Sequence, residues 1–529
     1  MHSKHIFLNW NEALINDALS GFWADVDESV YFDRDHTLEG LGWSLGCDWT
    51  ETEAIQYFDL AEKIRSEKFQ YVLLIGLGGS SAGAKAIVSL GEDSPKFIFV
   101  DSIIPLTLQK IVEEVRNQKI LLLICSKSGT TLETVILARY FLRQLGPSLR
   151  LSNGTVNAIA ITDHGTFLEE LAFKYNFRNV ITSKIDIGGR FSELSSFGLF
   201  PALLNNSDVS SVMVSATRMV SDSRNSGEQN PVVPLVDYLG VNLVSGIDKL
   251  YVYLPASLRG FSVWLEQLLS ESLGKSGIGI IPIIGDAGLI GNSEDICCVL
   301  YEDSTGLDPS LVKLEQSFEN RSIPVFKLKI DDPTSLGGEF YRWKLTVVLL
   351  AKLLDINPFN QPQVQKSKDN TNEIIEYFTV KGRLPPTSST LSLSEWIRHI
   401  KNDGYVAILP FVHMEDKEQE LLFHLGLSIR QLTGVHVTLA SGPSYLHSTG
   451  QMHKGGPQSG AYLQLLSTYH DEIPVDGETY TMSTLLAAQA NGDMESLVTL
   501  GRPVCRVDLG FNIEGGLRNL INEVENMSR

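Results

Sequence analysis

The sequence is poor in cysteine and in positive charge, and it has no long hydrophobic run. Five cysteines in 529 residues, an odd number without a CxxC pair, favour a reduced compartment, and we expect a cytoplasmic protein. No apolar run approaches the roughly 18 residues of a membrane span, and the first residues lack the apolar segment of a signal peptide. A net charge of -20 argues against nucleic acid and anionic membranes as partners.

The length and the pattern of apolar residues predict the domain organisation. A chain of 529 residues is expected to form about three domains of roughly 150 residues each. Apolar runs alternate with helical patterns, which is typical of β-α-β units in parallel sheets. We therefore predict an α/β protein with two doubly wound parallel-sheet domains and a third, C-terminal α/β domain. The expected boundaries are a helical arm at 1–66, a first sheet domain at 67–209, a second at 210–380, a linker at 381–399 and the C-terminal domain at 400–529.

The chain is organised around the stretch from Leu121 to Thr134. An apolar run to Cys125 predicts a buried strand, and Ser126–Thr131 follows it as a loop of four hydroxyl side chains and one lysine. Glu133 lies three positions after Thr130, the spacing of a capping box at the start of a helix. A loop of this kind at a helix N-terminus is suited to bind a doubly charged anion. An ordinary serine-rich turn is the alternative.

Two glycine-rich turns follow other predicted strands. Gly76–Gly83 could bind a dinucleotide, but the GxGxxG pattern would require glycine at Ser81, and a small phosphorylated ligand fits better. The other turn, Gly188-Gly189-Arg190, allows a close backbone approach and places a guanidinium beside it. Such a guanidinium can stabilise developing negative charge, whereas a surface arginine after an ordinary turn is the alternative.

Two predicted helices carry polar side chains that suit a polyhydroxylated ligand. Gln267 and Glu271 are four positions apart near a helix C-terminus, so they share a face, and the helix dipole there raises the basicity of a carboxylate. Another helix begins after Pro358, and Gln361 and Lys368 share a face if that helix covers both. Solvated helix ends are the alternative in both places.

Five motifs together resemble one known family. They are GLGGSSAG, SKSGTTLET, GGRFS, QLLSESLGK and NPFNQPQVQKSK, and they cover about residues 60–370. Their order and spacing are similar to those of glucose-6-phosphate isomerases, which have two sugar-isomerase (SIS) domains. The resemblance implies two SIS-type domains, a sugar phosphate as ligand, and no metal or other cofactor. It also implies interconversion of glucose 6-phosphate and fructose 6-phosphate through a cis-enediol.

The resemblance implies a role for each matched position. The catalytic base falls on Glu271, the enediolate-stabilising arginine on Arg190 and the ring-opening lysine on Lys368. The positions that bind the phosphate or the sugar fall on Gly79, Ser80, Ser126, Lys127, Ser128, Thr131, Gln267 and Gln361.

The sequence departs from the family at the ring-opening histidine. The family usually has one between the base and the lysine, but this sequence has no histidine from 271 to 368. Asn360 and Gln365 also replace the commoner Asp and Glu. These differences concern the ring-opening step more than the base.

The third domain offers a replacement for this histidine. Residues 400–510 resemble the C-terminal part of the isomerase half of bifunctional transaldolase/glucose-6-phosphate isomerase proteins. His447 and His453 lie in a polar, glycine-rich stretch at 444–457, which we predict to be a loop. We hypothesise that this loop reaches the site, within a subunit or across a dimer, and that His453, or else His447, opens the ring. Structural histidines are an alternative, and a zinc pair is disfavoured because no third ligand lies nearby.

Together these motifs predict a glucose-6-phosphate isomerase, which we expect to be a homodimer. A dual phosphoglucose/phosphomannose isomerase is an alternative, because the base and the phosphate loop would serve either sugar. A non-catalytic SIS protein that senses a sugar phosphate is another. It would need the phosphate loop but not Glu271, Arg190 and Lys368, which together favour an enzyme.

Overall fold

The chain forms three parallel sheets of five, four and four strands, which we call, with their helices, the first, second and third units. The computed structural model describes residues 10–32, 40–303, 309–468 and 472–527, so parts of the predicted N-terminal arm, at 1–9 and 33–39, lie outside the described residues. This architecture confirms the predicted α/β fold with a third, C-terminal unit. None of the described helices is long and apolar enough to cross a membrane.

Two long helices precede the first sheet, α1 (Glu12–Phe32) and α2 (Glu51–Ser66). The indole of Trp23 in α1 donates a hydrogen bond of 3.1 Å to the carbonyl of Ser223, which lies between the first and second sheets in the chain. Helix α1 therefore packs on the second unit.

The first unit is a parallel sheet in the order β2-β1-β3-β4-β5. Its central strand β3 is buried at all six positions, which agrees with a sheet covered by helices on both faces. The edge strand β5 was not predicted, because its polar residues leave no apolar run and most of it is only half-buried. The strands are β1 (Tyr71–Ile75), β2 (Lys96–Val100), β3 (Ile120–Cys125), β4 (Val156–Asp163) and β5 (Phe177–Ser183). The helices are α3 (Gly79–Val88), α4 (Pro105–Val115), α5 (Leu132–Gln144), α6 (Gly146–Leu149), α7 (Phe167–Lys174) and α8 (Ser196–Leu204).

The second unit is a parallel sheet in the order β7-β6-β8-β9. Its helix α13 joins the two units, because the ammonium of the fully buried Lys344 lies 2.5 Å from the carboxylate of Glu193, which precedes α8. The strands are β6 (Lys249–Tyr253), β7 (Ile281–Ile284), β8 (Ile296–Asp303) and β9 (Val325–Ile330). The helices are α9 (Val209–Asp222), α10 (Val233–Val244), α11 (Phe261–Leu273), α12 (Pro309–Asn320), α13 (Leu336–Leu353) and α14 (Pro362–Lys381).

The third unit is a parallel sheet in the order β11-β10-β12-β13. Its helix α15 starts with a capping box at Ser392 and buries Trp396 completely, so this part of the expected linker packs in the core of the third unit. The strands are β10 (Tyr405–Pro410), β11 (His436–Leu439), β12 (Gly460–Leu466) and β13 (Val504–Asp508). The helices are α15 (Leu393–His399), α16 (Asp416–Thr433), α17 (Gly450–Gly455), α18 (Met482–Thr499) and α19 (Ile513–Glu525).

The third unit contacts both of the others. The hydroxyl of Thr107 in the first unit lies 2.8 Å from the imidazole of His413, and His436 in β11 lies 3.3 Å from Asp295 in the second unit. One hydrophobic cluster contains buried residues of all three sheets. The segments after β1, β3 and β11 approach one another where the three units meet.

Candidate active site

The glycine turns of the first unit touch each other and the third unit. A Cβ atom on Gly79 would lie 2.2 Å from the backbone of Gly189, so only glycine allows this approach. Gly78 has a φ of 54°, and a Cβ atom on it would lie 2.7 Å from the carbonyl oxygen of His447 and 2.9 Å from Nε2 of Gln267. The two turns, helix α11 and the segment that carries His447 are therefore packed against one another.

Glu271 and Arg190 form a buried ion pair at this junction. Nη1 of Arg190 donates to Oε2 of Glu271 over 2.8 Å, and the exposed fractions of the two residues are 4% and 3%. Burial raises the pKa of Glu271, and the positive charges of Arg190 and His447 oppose this rise. A carboxylate with a raised pKa, held beside a guanidinium, can exchange a proton with a neighbouring carbon acid.

Two cations hold the segment that leads into α14. Nη2 of Arg190 donates to the carbonyl oxygens of Pro358 and Asn360, over 2.6 and 3.0 Å. The ammonium of Lys275 donates to the carbonyl of Asn357. Burial and the neighbouring Arg190 charge lower the pKa of Lys275 to about 7.

A cavity of about 230 Å³ shares His447 with this junction, whereas Glu271 and Arg190 are not among the residues that line it. Three of the predicted parts of the site line it, namely the hydroxyl loop of the first unit, helix α14 and the third unit, whereas the two glycine turns and α11 do not. Its lining includes Ser128, Thr130, Thr131, Glu133, Ser367, Lys368, Thr371, Leu446, His447 and Gln489. The cavity is therefore a polar site at the contact of three sheets, with hydroxyl, amide, carboxylate, imidazole and ammonium groups around it.

His447 is held in this cavity by a carboxylate of the first unit. Its Nε2 lies 3.0 Å from Oε1 of Glu133, and Nε2 of Gln489 donates to the same oxygen over 2.6 Å. Burial alone would raise the pKa of Glu133, but the charge and the hydrogen bond of His447 outweigh it and lower that pKa to about 2. The predicted capping box at Thr130 is wrong, because α5 begins at Leu132 and the carboxylate of Glu133 binds His447 instead.

His453 lies elsewhere. Its side chain is only 3% exposed, and its ring packs 5.1 to 6.4 Å from the rings of Tyr405, Tyr445 and Tyr462 in the core of the third unit. Burial lowers the pKa of His453 well below the usual value. The structure therefore contradicts our preference for His453, because its imidazole is enclosed by aromatic rings and does not line the cavity.

The hydroxyl loop lies between β3 and α5 as predicted. Ser126 donates to the hydroxyl of Thr131 over 3.2 Å, and the backbone N–H of Thr130 donates to Ser128 over 3.3 Å. The ammonium of Lys127 is held by Asp163 and by the carbonyl of Lys184, each at 2.6 Å. The loop therefore offers hydroxyl and backbone donors, and the lysine charge lies at its side in an ion pair.

The remaining predicted residues are only partly brought together. Lys368 is an exposed residue of α14 that lines the cavity, and its charge contributes to the lowered pKa of Glu133. Gln361 precedes the first turn of α14 with a φ of −153°, so the argument that it shares a helix face with Lys368 is wrong. Ser80 is half-buried at the start of α3, next to Gly79.

Comparison with known proteins shows a similarity to one family over part of the chain. Residues 59–279, which include the glycine turns, the hydroxyl loop and Glu271, match the model of the family described as phosphoglucose isomerase. The match ends before α14, so Gln361 and Lys368 lie outside it.

Curated phosphoglucose isomerases resemble a larger part of the chain. A glucose-6-phosphate isomerase of Mycoplasmopsis pulmonis is 26% identical over 426 residues, which cover 70% of this chain and 99% of that protein. A probable glucose-6-phosphate isomerase of Methanococcus maripaludis is 26% identical over 366 residues, 60% of this chain and 81% of that protein. The sequence similarity thus extends beyond the matched family segment.

Two solved structures share the fold. A hypothetical protein from Thermus thermophilus superposes with a TM-score of 0.58 at 22% identity, over 68% of this chain and 96% of that one. A glucose-6-phosphate isomerase from Chlamydia trachomatis superposes with a TM-score of 0.53 at 20% identity, over 62% of this chain and 74% of that one. At these identities the likeness concerns the fold.

Among the cavity residues that were not predicted as site residues are Glu133 and Gln489, which bind each other. Glu133 was visible in the sequence, but its spacing from Thr130 was interpreted as a helix cap. Gln489 lies in the run Leu485 to Ala490, in which the other residues are leucine and alanine. A single amide side chain in such an apolar run is the feature of the sequence that could have indicated its role. Such a side chain is expected to be buried and therefore to need a polar partner, which here is Glu133.

Proposed function

We propose that this protein interconverts glucose 6-phosphate and fructose 6-phosphate. The observation that supports it best is the buried Glu271–Arg190 pair beside a polar cavity, in a chain whose relatives are named glucose-6-phosphate isomerases. The reaction moves a proton between C1 and C2 through a cis-enediol. It needs one base on the substrate face and one cation beside the enediolate oxygens.

Glu271 is the proposed base. Its pKa is raised by burial, so the carboxylate is more basic than an exposed glutamate and can remove the C2 proton near neutral pH. Arg190 is the proposed electrostatic partner of the enediolate. Because four protein oxygens already fix its guanidinium, it needs little reorganisation when the negative charge develops.

We propose that the phosphate binds in the loop Ser126–Thr131. The hydroxyl groups of Ser126, Ser128 and Thr131 and the backbone N–H groups at the start of α5 would donate to it. Lys127 would contribute charge from its ion pair with Asp163, at the side of the loop. Gly79, Ser80, Gln267 and Gln361 are the proposed contacts to the sugar, of which Gln267 is the one already bound to the His447 segment.

We propose His447, and not His453, as the ring-opening group, together with Lys368. Glu133 is ionised, so its carboxylate accepts the hydrogen bond and Nε2 of His447 donates it. This leaves Nδ1 to exchange a proton with the substrate, as ring opening requires. Because His447 and the other proposed groups come from one chain, this step needs no second subunit.

A homodimer and a cytoplasmic location remain proposals that rest on the family resemblance and on the cysteine usage. Light scattering after size-exclusion chromatography measures the oligomeric state. Because His447 and the other proposed groups belong to the same chain, specific activity should not fall when the enzyme is diluted, even if a dimer dissociates.

The direct test of the proposed function is an assay of the purified protein with fructose 6-phosphate. Glucose 6-phosphate and mannose 6-phosphate are measured separately, and the matched control is the Glu271→Gln variant purified in the same way. We expect glucose 6-phosphate to form at a rate at least about 10²-fold above that of the control. Equal rates for the protein and the control would refute the proposal, and mannose 6-phosphate would reveal the dual isomerase.

A further inference from the structure

We propose that helix α18 of the third unit positions His447 from two sides, through Gln489 and Asp493. This inference rests on the proposed ring-opening role of His447. The helix holds the hydrogen-bond partner of the imidazole at one point and the backbone segment that carries the imidazole at another. Gln489 and Asp493 are thus positioning residues, which act through His447.

The first contact fixes the partner of the imidazole. Nε2 of Gln489 donates over 2.6 Å to Oε1 of Glu133, the same oxygen that lies 3.0 Å from Nε2 of His447. Gln489 and Glu133 are each only 5% exposed, so water does not replace this bond readily. Without the amide, the carboxylate of Glu133 could rotate and the direction of its bond to His447 would change.

The second contact fixes the backbone that carries His447. Tyr445 lies in the same 3-10 turn, Ser444–His447, and its hydroxyl donates to Oδ2 of Asp493. The other oxygen of Asp493 lies 2.5 Å from the ammonium of Lys454 in α17. Tyr445, Asp493 and Lys454 are 2%, 1% and 4% exposed. A buried ion pair of this kind often adds little to the free energy of unfolding. Its best-supported role is to fix one arrangement of the segments that it joins.

One rigid element connects the two contacts. Gln489 and Asp493 are four positions apart in α18, so they lie on the same face of the helix. Most of the helix is buried, including Leu485, Ala490, Met494 and Leu497, so it cannot rotate without exposing apolar surface. The distance between Glu133 and the turn of His447 is therefore set by a helix of the third unit.

The network also accounts for the sequence around His453. Lys454 pairs with Asp493, and the glycines after it allow α17 to pack on the end of α11, because a Cβ atom on Gly455 would lie 2.4 Å from the carbonyl oxygen of Gly274. The residues that suggested a ligand site at His453 thus hold the segment that presents His447.

The experiment compares Gln489→Leu and Tyr445→Phe with the control Glu495→Gln. Tyr445→Phe removes only the hydroxyl and keeps the Lys454–Asp493 pair, so it avoids a buried unpaired charge. Glu495 lies on the same helix but binds the exposed Ser388, away from the cavity. Each variant is assayed with cyclic fructose 6-phosphate and with erythrose 4-phosphate, which cannot close a ring because O4 carries the phosphate. Proton exchange at C2 of the latter is followed in deuterated water.

We expect Gln489→Leu and Tyr445→Phe to lower kcat on fructose 6-phosphate about 10-fold, less than the roughly 10²-fold or greater loss in His447→Gln. In these two variants the KM for fructose 6-phosphate and the rate of proton exchange on erythrose 4-phosphate should stay close to those of the parent. The control Glu495→Gln should keep both the isomerisation of fructose 6-phosphate and the exchange on erythrose 4-phosphate. In the His447→Gln background, adding Gln489→Leu should cause no further loss, because the amide acts through the imidazole.

Three outcomes distinguish a failure of the proposed function, of the role of His447 and of its positioning by α18. If the parent does not isomerise fructose 6-phosphate, the proposed function fails. If it does but His447→Gln keeps full activity on the cyclic substrate, the role of His447 fails. The positioning proposal alone is overturned in a third case, in which His447→Gln loses activity on the cyclic substrate but Gln489→Leu and Tyr445→Phe keep it. It is also overturned if these two variants lose isomerisation of fructose 6-phosphate and proton exchange on erythrose 4-phosphate equally.

Discussion

Replacing Arg190 by methionine should separate the catalytic and the structural contributions of the buried pair. Its guanidinium donates to Glu271, to Ser272 and to the carbonyls of Pro358 and Asn360. Four hydrogen bonds to a charged group, at about 1.5–3 kcal/mol each, would sum to about 6–12 kcal/mol. Removing the guanidinium also removes the cost of burying it, so the expected loss of stability is nearer about 3–5 kcal/mol, as for other broken buried pairs.

The pH dependence distinguishes this explanation from a simple packing defect. Burial raises the pKa of Glu271, and loss of the arginine removes the largest effect that opposes the rise. A raised pKa in the folded state favours the protonated carboxyl, so stability is retained at low pH and is lost as the pH rises through that pKa. The stability deficit of Arg190→Met should therefore be small at about pH 5 and larger at about pH 8.

The assay combines thermal unfolding at several pH values with kinetics. The double variant Arg190→Met/Glu271→Gln removes both charges and should regain most of the lost stability. Activity should fall about 10²–10³-fold in Arg190→Met, because the enediolate loses its cation, and should not return in the double variant. A deficit that is the same at every pH, or a double variant no more stable than Arg190→Met, would contradict the assignment of a buried charge to Glu271.

Four further results are expected. Lys127→Ala and Thr131→Val should mainly raise KM, because the phosphate is bound equally in the ground and transition states; unchanged KM values in both would exclude the loop as the phosphate site. Dialysis against a chelator should leave activity unchanged, and activity restored by zinc would refute this. His453→Phe should lower thermal stability but leave kcat nearly unchanged, whereas a loss as large as in His447→Gln would show a catalytic role. Lys275→Met should flatten the rise of stability between pH about 7 and 10, because the pKa of Lys275 is lowered to about 7 in the folded state; an unchanged profile would contradict that value.

The buried strands were predictable from the sequence because each is a short apolar run next to a glycine or hydroxyl turn. β3 is the clearest example, with six buried positions ahead of the hydroxyl loop. β5 was missed because an edge strand is partly exposed and carries polar residues. The short helix α17 was expected to be a loop because of its glycines, which instead permit close packing against α11.

The candidate site was predictable where a motif is local. Glu271 and Arg190 were proposed from separate motifs, and the structure brings them within 2.8 Å. The partner of His447 was not predictable, because its contact to Glu133 spans 314 positions and no local spacing encodes it. The choice of His453 failed for a related reason: the lysine and glycines that follow it serve packing and an ion pair, which a sequence cannot distinguish from ligand binding.

The long separation between Glu133 and the groups that bind it also has a consequence for synthesis on the ribosome. Glu133 is made early, whereas His447 and Gln489 follow 314 and 356 positions later. Domains form largely in the order of translation, so the first unit can fold while one wall of its cavity has not yet been translated. Until α18 has left the ribosome, the carboxylate of Glu133 lacks at least Gln489, and a nascent chain should acquire ring-opening activity only near the end of its synthesis.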